Sequence, residues 1–199
     1  MNSGASSSIP MSREEFVTSM RDHTDVSRET LGPETLERLD MYTETLRAWQ
    51  PRINLVSNRS MDDLWRRHFL DSAQLGKWIM PGKRVLDMGS GAGFPGLVIS
   101  IITGAPVVLA ESDSRKCAFL REVRRLTDAN AEIAEGRIED LDAGLFDVVV
   151  ARALAPLTDL LDHAAGLVKP DGFCLFPKGA RVDDELTDAT ENWNMQVEQ

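Results

Sequence analysis

The run Asp87-Met88-Gly89-Ser90-Gly91-Ala92-Gly93-Phe94-Pro95-Gly96 constrains this chain more than any other stretch. Arg84-Val85-Leu86 before it reads as a short buried strand, and Leu97 to Ile102 after it reads as a helix. Strand, glycine-rich turn and helix make one half of a nucleotide-binding unit. Glycine lets such a turn adopt positive φ and come close to a ligand. The helix start offers unpaired N–H groups to a carboxylate or phosphate. Pro95 suits that first turn, where its missing N–H costs nothing.

Three readings of the turn stay open on the residues alone. Gly91-x-Gly93-x-x-Gly96 matches the dinucleotide pattern. A purely structural turn is the second. The third starts from Asp87-x-Gly89-x-Gly91-x-Gly93, which resembles motif I of the class I S-adenosylmethionine (SAM) methyltransferases. There the acid would neutralise the methionine ammonium, a need that a pyrophosphate site does not have.

The rest of the chain is read around this unit. From Lys83, strands and helices alternate, as in a mostly parallel, doubly wound sheet of the α/β class. Strands are expected at Arg84–Asp87, Val107–Glu111, Ala131–Ala134, Phe146–Ala151 and Gly172–Phe176, with another start at Met195-Gln196-Val197. Helices are expected from about Pro95, over about Arg115–Leu126, Leu157–Val168 and about Val182–Glu191. The first 80 residues read as helical. Ser12-x-x-Glu15 is a capping box opening a helix that fades near Val26. Leu36, Leu39, Leu46 and Trp49 recur at helical spacing until Pro51. Ser60-x-x-Asp63 would cap a third helix that turns Leu64, Trp65, Phe69, Ala73 and Trp78 to the core. The expected organisation is a disordered Ser-rich tail (1–10), an N-terminal helical extension (11–80) and a SAM-binding core (81–199). The extension would be a cover over the sheet or a separate recognition surface.

Composition narrows the partners. No apolar run approaches the roughly 20 residues of a membrane span, and the tail lacks the layout of a signal peptide. Cys117 and Cys174 are too few and too far apart for a disulfide framework or a zinc site, so a cytoplasmic protein with reduced thiols and no metal is expected. A net charge of −10 argues against indiscriminate nucleic-acid binding. The charge is segregated, however. Arg47, Arg52, Arg59, Arg66 and Arg67 face only Asp62 and Asp63, a net of +3. Arg115, Lys116, Arg121, Arg124 and Arg125 face only Asp113 and Glu122, again +3. Either cluster is a phosphate-binding face or a plain solvated helix face.

Several residues can carry chemistry. Glu111 ends the second strand, 22 positions after Gly89, the offset at which an acid accepts ribose hydroxyls. Asp113 is its rival, and a helix cap is the plain alternative. Ile138 and Glu139 follow the third strand, where the loop should border the site. Ile138 would lie against an adenine and Glu139 would accept from its exocyclic amine, unless this is only an acidic surface turn. Arg152 follows the fourth strand directly and would bind the SAM carboxylate, the substrate base or a nearby acid. His68 and Asp71, one helical turn apart, are either a catalytic pair or a structural tie. His23 and His163 show no partner pattern. Ala151-Arg152-Ala153-Leu154 is neither the Asn/Asp-Pro-Pro-Tyr of amino-group methyltransferases nor the Pro-Cys of cytosine-C5 enzymes.

Taken together, residues from about 35 to 185 resemble the bacterial 16S rRNA guanine-N7 methyltransferases, the RsmG or GidB family. The motifs are Asn54-Leu55-Val56-Ser57, Arg67-His68-Phe69-Leu70-Asp71-Ser72, the Pro95-Gly96 extension, Glu111-Ser112-x-x-Arg115-Lys116, Phe119-Leu120-Arg121, Arg137-x-Glu139, Ala151-Arg152-Ala153 and Lys178-Gly179. The resemblance implies that Gly89, Phe94, Ile138, Glu139 and Arg152 line the SAM site, beside Asp87, Gly91 and Glu111 from the residue reading. The family's acid at the second strand is usually Asp; here it is Glu111. Members usually continue into a β-hairpin that completes the sheet, so this sequence is expected to lack the final strands and to leave an uncovered edge. The resemblance also implies 16S rRNA or the small ribosomal subunit as substrate; the chain is expected to act as a monomer. Guanine N7 has a lone pair and no proton, so direct in-line transfer needs no general base and no dedicated catalytic side chain. Arg66, Arg67, Arg115, Lys116 and Lys178 are the candidate phosphate contacts. A SAM-dependent methyltransferase of a small molecule or protein, or a nucleotide-binding module without catalysis, are the alternatives.

Overall fold

Five strands pair into a parallel sheet ordered β3-β2-β1-β4-β5. They are β1 (Val85–Met88), β2 (Val107–Glu111), β3 (Ala131–Glu135), β4 (Phe146–Val150) and β5 (Val168–Leu175). The computed structural model describes residues 9–23, 31–152 and 154–198. Parallel neighbours need crossovers. Here α5 (Gly96–Thr103), α6 (Ser114–Thr127) and α7 (Leu157–Ala164) are the helical ones. Chain order reverses at β1, with β2 and β3 on one side and β4 and β5 on the other. A crevice therefore opens beyond the carboxyl ends of β1 and β4.

The two-residue period of the strands divides the core. Val85, Val107, Leu109, Val148 and Val150 face one layer, shared with α5, α6 and the N-terminal helices. Leu86, Met88, Val108, Ala110 and Val149 face the other, under Leu160 and Ala164 of α7. Strands β1, β2 and β4 are buried along their whole length, which is why they read as mostly apolar runs, each with a single acid. The last helix, α8 (Val182–Thr190), packs on α7.

The N-terminal helices cover the first layer. In α1 (Arg13–His23) the capping box is reciprocal: Ser12 N–H donates to Glu15 Oε2 at 2.7 Å, and Glu15 N–H donates to Ser12 Oγ at 3.1 Å. In α2 (Pro33–Trp49) Tyr42 is fully buried and stacks on Phe94 at 5.1 Å, and its hydroxyl donates to the Ala92 carbonyl. Arg38 donates to the carbonyls of Thr127 and Asp128 at the end of α6. Phe16, Tyr42, Phe69 and Phe94 belong to one apolar cluster. Each such side chain contributes about 1.5–3 kcal/mol by leaving water.

The third helix departs from expectation. Ser57, rather than Ser60, supplies the cap: its Oγ accepts from Ser60 N–H at 3.2 Å. The helix that follows, α3 (Asn58–Met61), is a single turn. Then come a π-helical turn (Trp65–Leu70), α4 (Asp71–Ala73) and a 3₁₀ turn (Gln74–Trp78). The wider π winding turns Trp65, His68, Phe69 and Leu70 all inward. Leu64 and Ala73 are buried as expected, but Trp78 is 43% exposed, under the Lys77 ammonium at 5.3 Å. Trp78 closes the 3₁₀ turn, whose tighter winding carries the indole out of the core.

The C-terminal third also differs. Strand β5 starts at Val168, so α7 stops at Ala164. This strand tolerates Pro170 because it lies at the sheet edge. Residues 193–198 carry no regular structure, so no strand begins at Met195. The expected helix end near Val26, and the tail apart from Ile9 and Pro10, lie outside the described residues.

Candidate functional site

The crevice at the chain reversal is a cleft of about 620 Å³, inside the range of roughly 300–1,000 Å³ usual for small-molecule sites. The glycine turn forms its floor. Gly89 has φ +66°, and a Cβ there would come within 2.6 Å of Leu154 Cδ1. The turn owes its shape to Asp87, which is 0% exposed. One of its carboxylate oxygens, Oδ2, accepts from Gly96 N–H at 2.9 Å. The Ser90 hydroxyl donates to the Asp87 carbonyl at 3.0 Å. Burial drives the Asp87 pKa up to about 7, against the lowering effects of the Gly96 N–H and Arg152. Asp87 does not line the cleft. The expected ammonium partner therefore sits beneath the turn and fixes its geometry. It reaches the loop through the Gly96 N–H alone, and its other oxygen, Oδ1, is buried without a hydrogen-bond partner among the described residues, because the strand's alternation points the side chain into the core.

Glu111 does reach the cleft. The carboxylate is buried and faces the glycine turn: Oε2 accepts from Gly91 N–H and Oε1 from Asp113 N–H, both at 2.8 Å. A carboxylate has about four lone-pair positions, so each oxygen keeps one for a ligand. Its rival Asp113 is spent as the N-cap of α6, accepting from Arg115 N–H at 2.9 Å. Ile138 and Glu139 lie in a short 3₁₀ turn after β3 and face the cleft beside Gly136 and Arg137.

Across from Glu111, Phe94 and Arg152 form the second wall. The Arg152 guanidinium stands over the Phe94 ring at 5.2 Å. It donates to the Arg67 carbonyl at 3.1 Å and lies 2.6 Å from His68 Nδ1. His68 is thus the partner of Arg152, and the catalytic or tying pair it was to form with Asp71 is not made. Burial first, and then the charges of Arg152 and Arg67, lower the His68 pKa to about 3. Leu55, Val56, Leu154 and Ala155 complete the walls. The cover therefore supplies part of the cleft, a contribution that no local pattern in the sequence announces.

The candidate phosphate contacts are dispersed. Lys116 lines the cleft. Arg66 pairs with Asp63 at 2.6 Å and donates to the Ile9 carbonyl. Arg67 is exposed beside Arg152. Arg115 holds Asp113 at 2.8 Å. Arg121 pairs with Glu135 and Arg125 with Glu122. Lys178 is a correction: its side chain is 13% exposed, pairs with Glu185 at 2.7 Å and donates to the Ala155 carbonyl at 3.1 Å. It supports the cleft wall from behind, because α8 delivers a carboxylate to it. Among the described residues no cluster of three His, Cys, Asp or Glu could hold a metal ion, and no helix is long and apolar enough to cross a membrane.

A family model described as rRNA small subunit methyltransferase G (GidB) matches residues 35–199. A curated ribosomal RNA small subunit methyltransferase G of Rhodospirillum centenum is 54% identical over 167 residues, covering 83% of this chain and 77% of that protein. Its counterpart in Gluconobacter oxydans is 49% identical over 166 residues, covering 83% and 86%. Among solved structures, the ribosomal protein L11 methylase of Lactobacillus delbrueckii subsp. bulgaricus superposes with a TM-score of 0.52 at 19% identity, covering 64% of this chain and 72% of that one. That likeness concerns the fold, which is the class I SAM-methyltransferase fold.

Proposed function

Since the chain belongs to the rRNA small subunit methyltransferase G family, we propose that it methylates N7 of a guanine in 16S rRNA of the small ribosomal subunit, using SAM. One observation carries the cofactor assignment: the Glu111 carboxylate is buried at the cleft and tied to the glycine turn, with lone pairs left for a sugar. The residues fit the group. Gly89, Gly91 and Phe94 bound the floor, Ile138 and Glu139 the adenine end, and Arg152 the amino-acid end. Asp87 contributes by holding the turn through Gly96. When bound, SAM supplies an electrophilic sulfonium methyl group.

The chain's own task is then to bind, orient and exclude water. Guanine N7 presents a lone pair without a proton, so no side chain must take a proton first. Orientation alone can be worth roughly 7–11 kcal/mol. N7 lies in the deep groove of an RNA helix, which proteins reach poorly, so the target guanine is splayed out or in a loop. Lys116, Arg66, Arg67 and Arg115 are the phosphate contacts of this reading. Those already paired must exchange an acidic partner for phosphate. We place the enzyme in the cytoplasm, acting as a monomer without a metal ion.

The test is to incubate the protein and SAM with naked 16S rRNA, or with 30S particles, from a strain lacking the modification. Cleavage at 7-methylguanine then maps the product. A single new cleavage position is expected. No cleavage in either substrate overturns the proposal.

A further inference from the structure

Arg152 is a half-buried cation whose hydrogen-bond partners are neutral; the carboxyl groups of Asp71 and Asp87 lie near enough to act on its charge but do not bond to it. Its hydrogen bonds go to the Arg67 carbonyl and to His68 Nδ1. A guanidinium has five N–H donors and no acceptor. Nδ1 must therefore carry the lone pair, and the imidazole is neutral with its proton on Nε2. A protonated ring would place two cations 2.6 Å apart. Burial and the neighbouring charges of Arg152 and Arg67 already disfavour that form.

The imidazole has little freedom. It is 9% exposed, and it packs on Phe94 with centroids 4.8 Å apart. The π-helical turn that carries it is anchored by Trp65 and Phe69, whose rings meet at 4.7 Å. Phe94 thus supports both partners, the imidazole and the guanidinium. A carboxylate at this place would also aim the arginine. It would, however, neutralise the charge and compete with an anionic ligand. A neutral acceptor orients the guanidinium without adding a contact anion, and the guanidinium faces the cleft.

We propose, resting on the SAM reading above, that His68 is a positioning residue whose Nδ1 lone pair aims Arg152 at the carboxylate of the bound cofactor. His68 does not touch the reacting atoms.

Two ligands separate this from a merely structural role. S-adenosylhomocysteine has the amino-acid end, whereas 5′-methylthioadenosine keeps the nucleoside and thioether without it. Their dissociation constants are measured by calorimetry on the full chain and on His68→Leu and His68→Asn. Asparagine offers an oxygen close to where Nδ1 stands; leucine offers none. The wild type should prefer S-adenosylhomocysteine. His68→Leu should lose about ten- to a hundredfold of that affinity, the scale of one charged hydrogen bond, with 5′-methylthioadenosine unaffected. His68→Asn should recover most of the loss. Arg152→Gln should show the same selective loss, and combining it with His68→Leu should add little, since the two act as one unit. If the leucine variant does not fold, His68→Gln, which withdraws the acceptor from the Nδ1 position, carries the same expectation. Equal weakening of both ligands, no weakening, or no recovery with asparagine overturns the proposal. A wild-type chain that binds neither ligand overturns the SAM reading itself.

Discussion

Replacing Glu111 by glutamine tests the centre of the site with almost no change in shape. The carboxylate accepts from two backbone N–H groups, Gly91 and Asp113, each at 2.8 Å. Glutamine has one oxygen, so its amide nitrogen must face one of those donors. A hydrogen bond to a charged group is worth about 1.5–3 kcal/mol, and a buried donor left unpaired costs about 1–3 kcal/mol. These overlap, so the fold should lose about 2–3 kcal/mol. For a chain of this size each kcal/mol moves the melting temperature by about 2–4 °C, which gives a drop of roughly 4–12 °C. The variant also withdraws an acceptor from the sugar, and SAM binding should weaken about ten- to a hundredfold, or about 1.4–2.8 kcal/mol. Differential scanning calorimetry and a titration with S-adenosylhomocysteine read the two effects separately. Unchanged melting together with unchanged affinity would refute the reasoning. Lost stability with intact affinity would leave Glu111 a brace for the turn and remove it from the sugar.

Other expectations follow from single contacts. Gly96→Ala places a Cβ 2.5 Å from Leu109 Cδ2 and 2.6 Å from Asp87 Oδ2. Overpacking of that kind costs about 1–3 kcal/mol, and urea melts should show it along with weaker SAM binding. Asp87 titrates at about 7 in the fold against an ordinary 3.8, so the folded chain keeps a proton that the unfolded chain has released. The stability from this group is present below about pH 4 and is lost as pH rises to about 7. His68 runs the opposite way: it titrates at about 3 against 6.5, and stability is lost as pH falls through that window. Asp87→Asn removes only the first slope, so its stability relative to wild type should climb by up to about 1.4 kcal/mol per pH unit between about pH 4 and 7. Urea melts across that range would contradict this if the difference stayed flat. Lys178→Ala should lower stability and disturb the Ala155 wall while leaving RNA affinity, read by fluorescence anisotropy, within about twofold; a larger loss would restore Lys178 as a phosphate contact.

Strands β2 and β4 were legible because they are buried on both faces, so no polar residue interrupts Val107–Leu109 or Val148–Val150. The capping box at Ser12 and Glu15 was legible because it closes over three residues. The third helix was misread because its winding answers to the core. Trp65, His68, Phe69 and Leu70 can all turn inward only if the helix widens, and an ideal period cannot express that. Asp87 and Lys178 were recognised as notable, but the contacts that hold them, Gly96 N–H for the one and Glu185 with the Ala155 carbonyl for the other, were not legible. A motif marks a residue, but the neighbours that occupy its polar atoms lie elsewhere in the chain.

By itself the sequence determined the class of fold, the position of the glycine turn and the acid that faces it, since these follow from local period and from spacing along a strand–turn–helix unit. The tertiary structure alone decided which charges are spent and which are available. Arg152 meets His68 across 84 positions, Lys178 meets Glu185 through α8, and Leu55 and Val56 close the cleft from the cover. Charge pairing depends on distance in space and on burial, and neither can be read from a chain until it has packed.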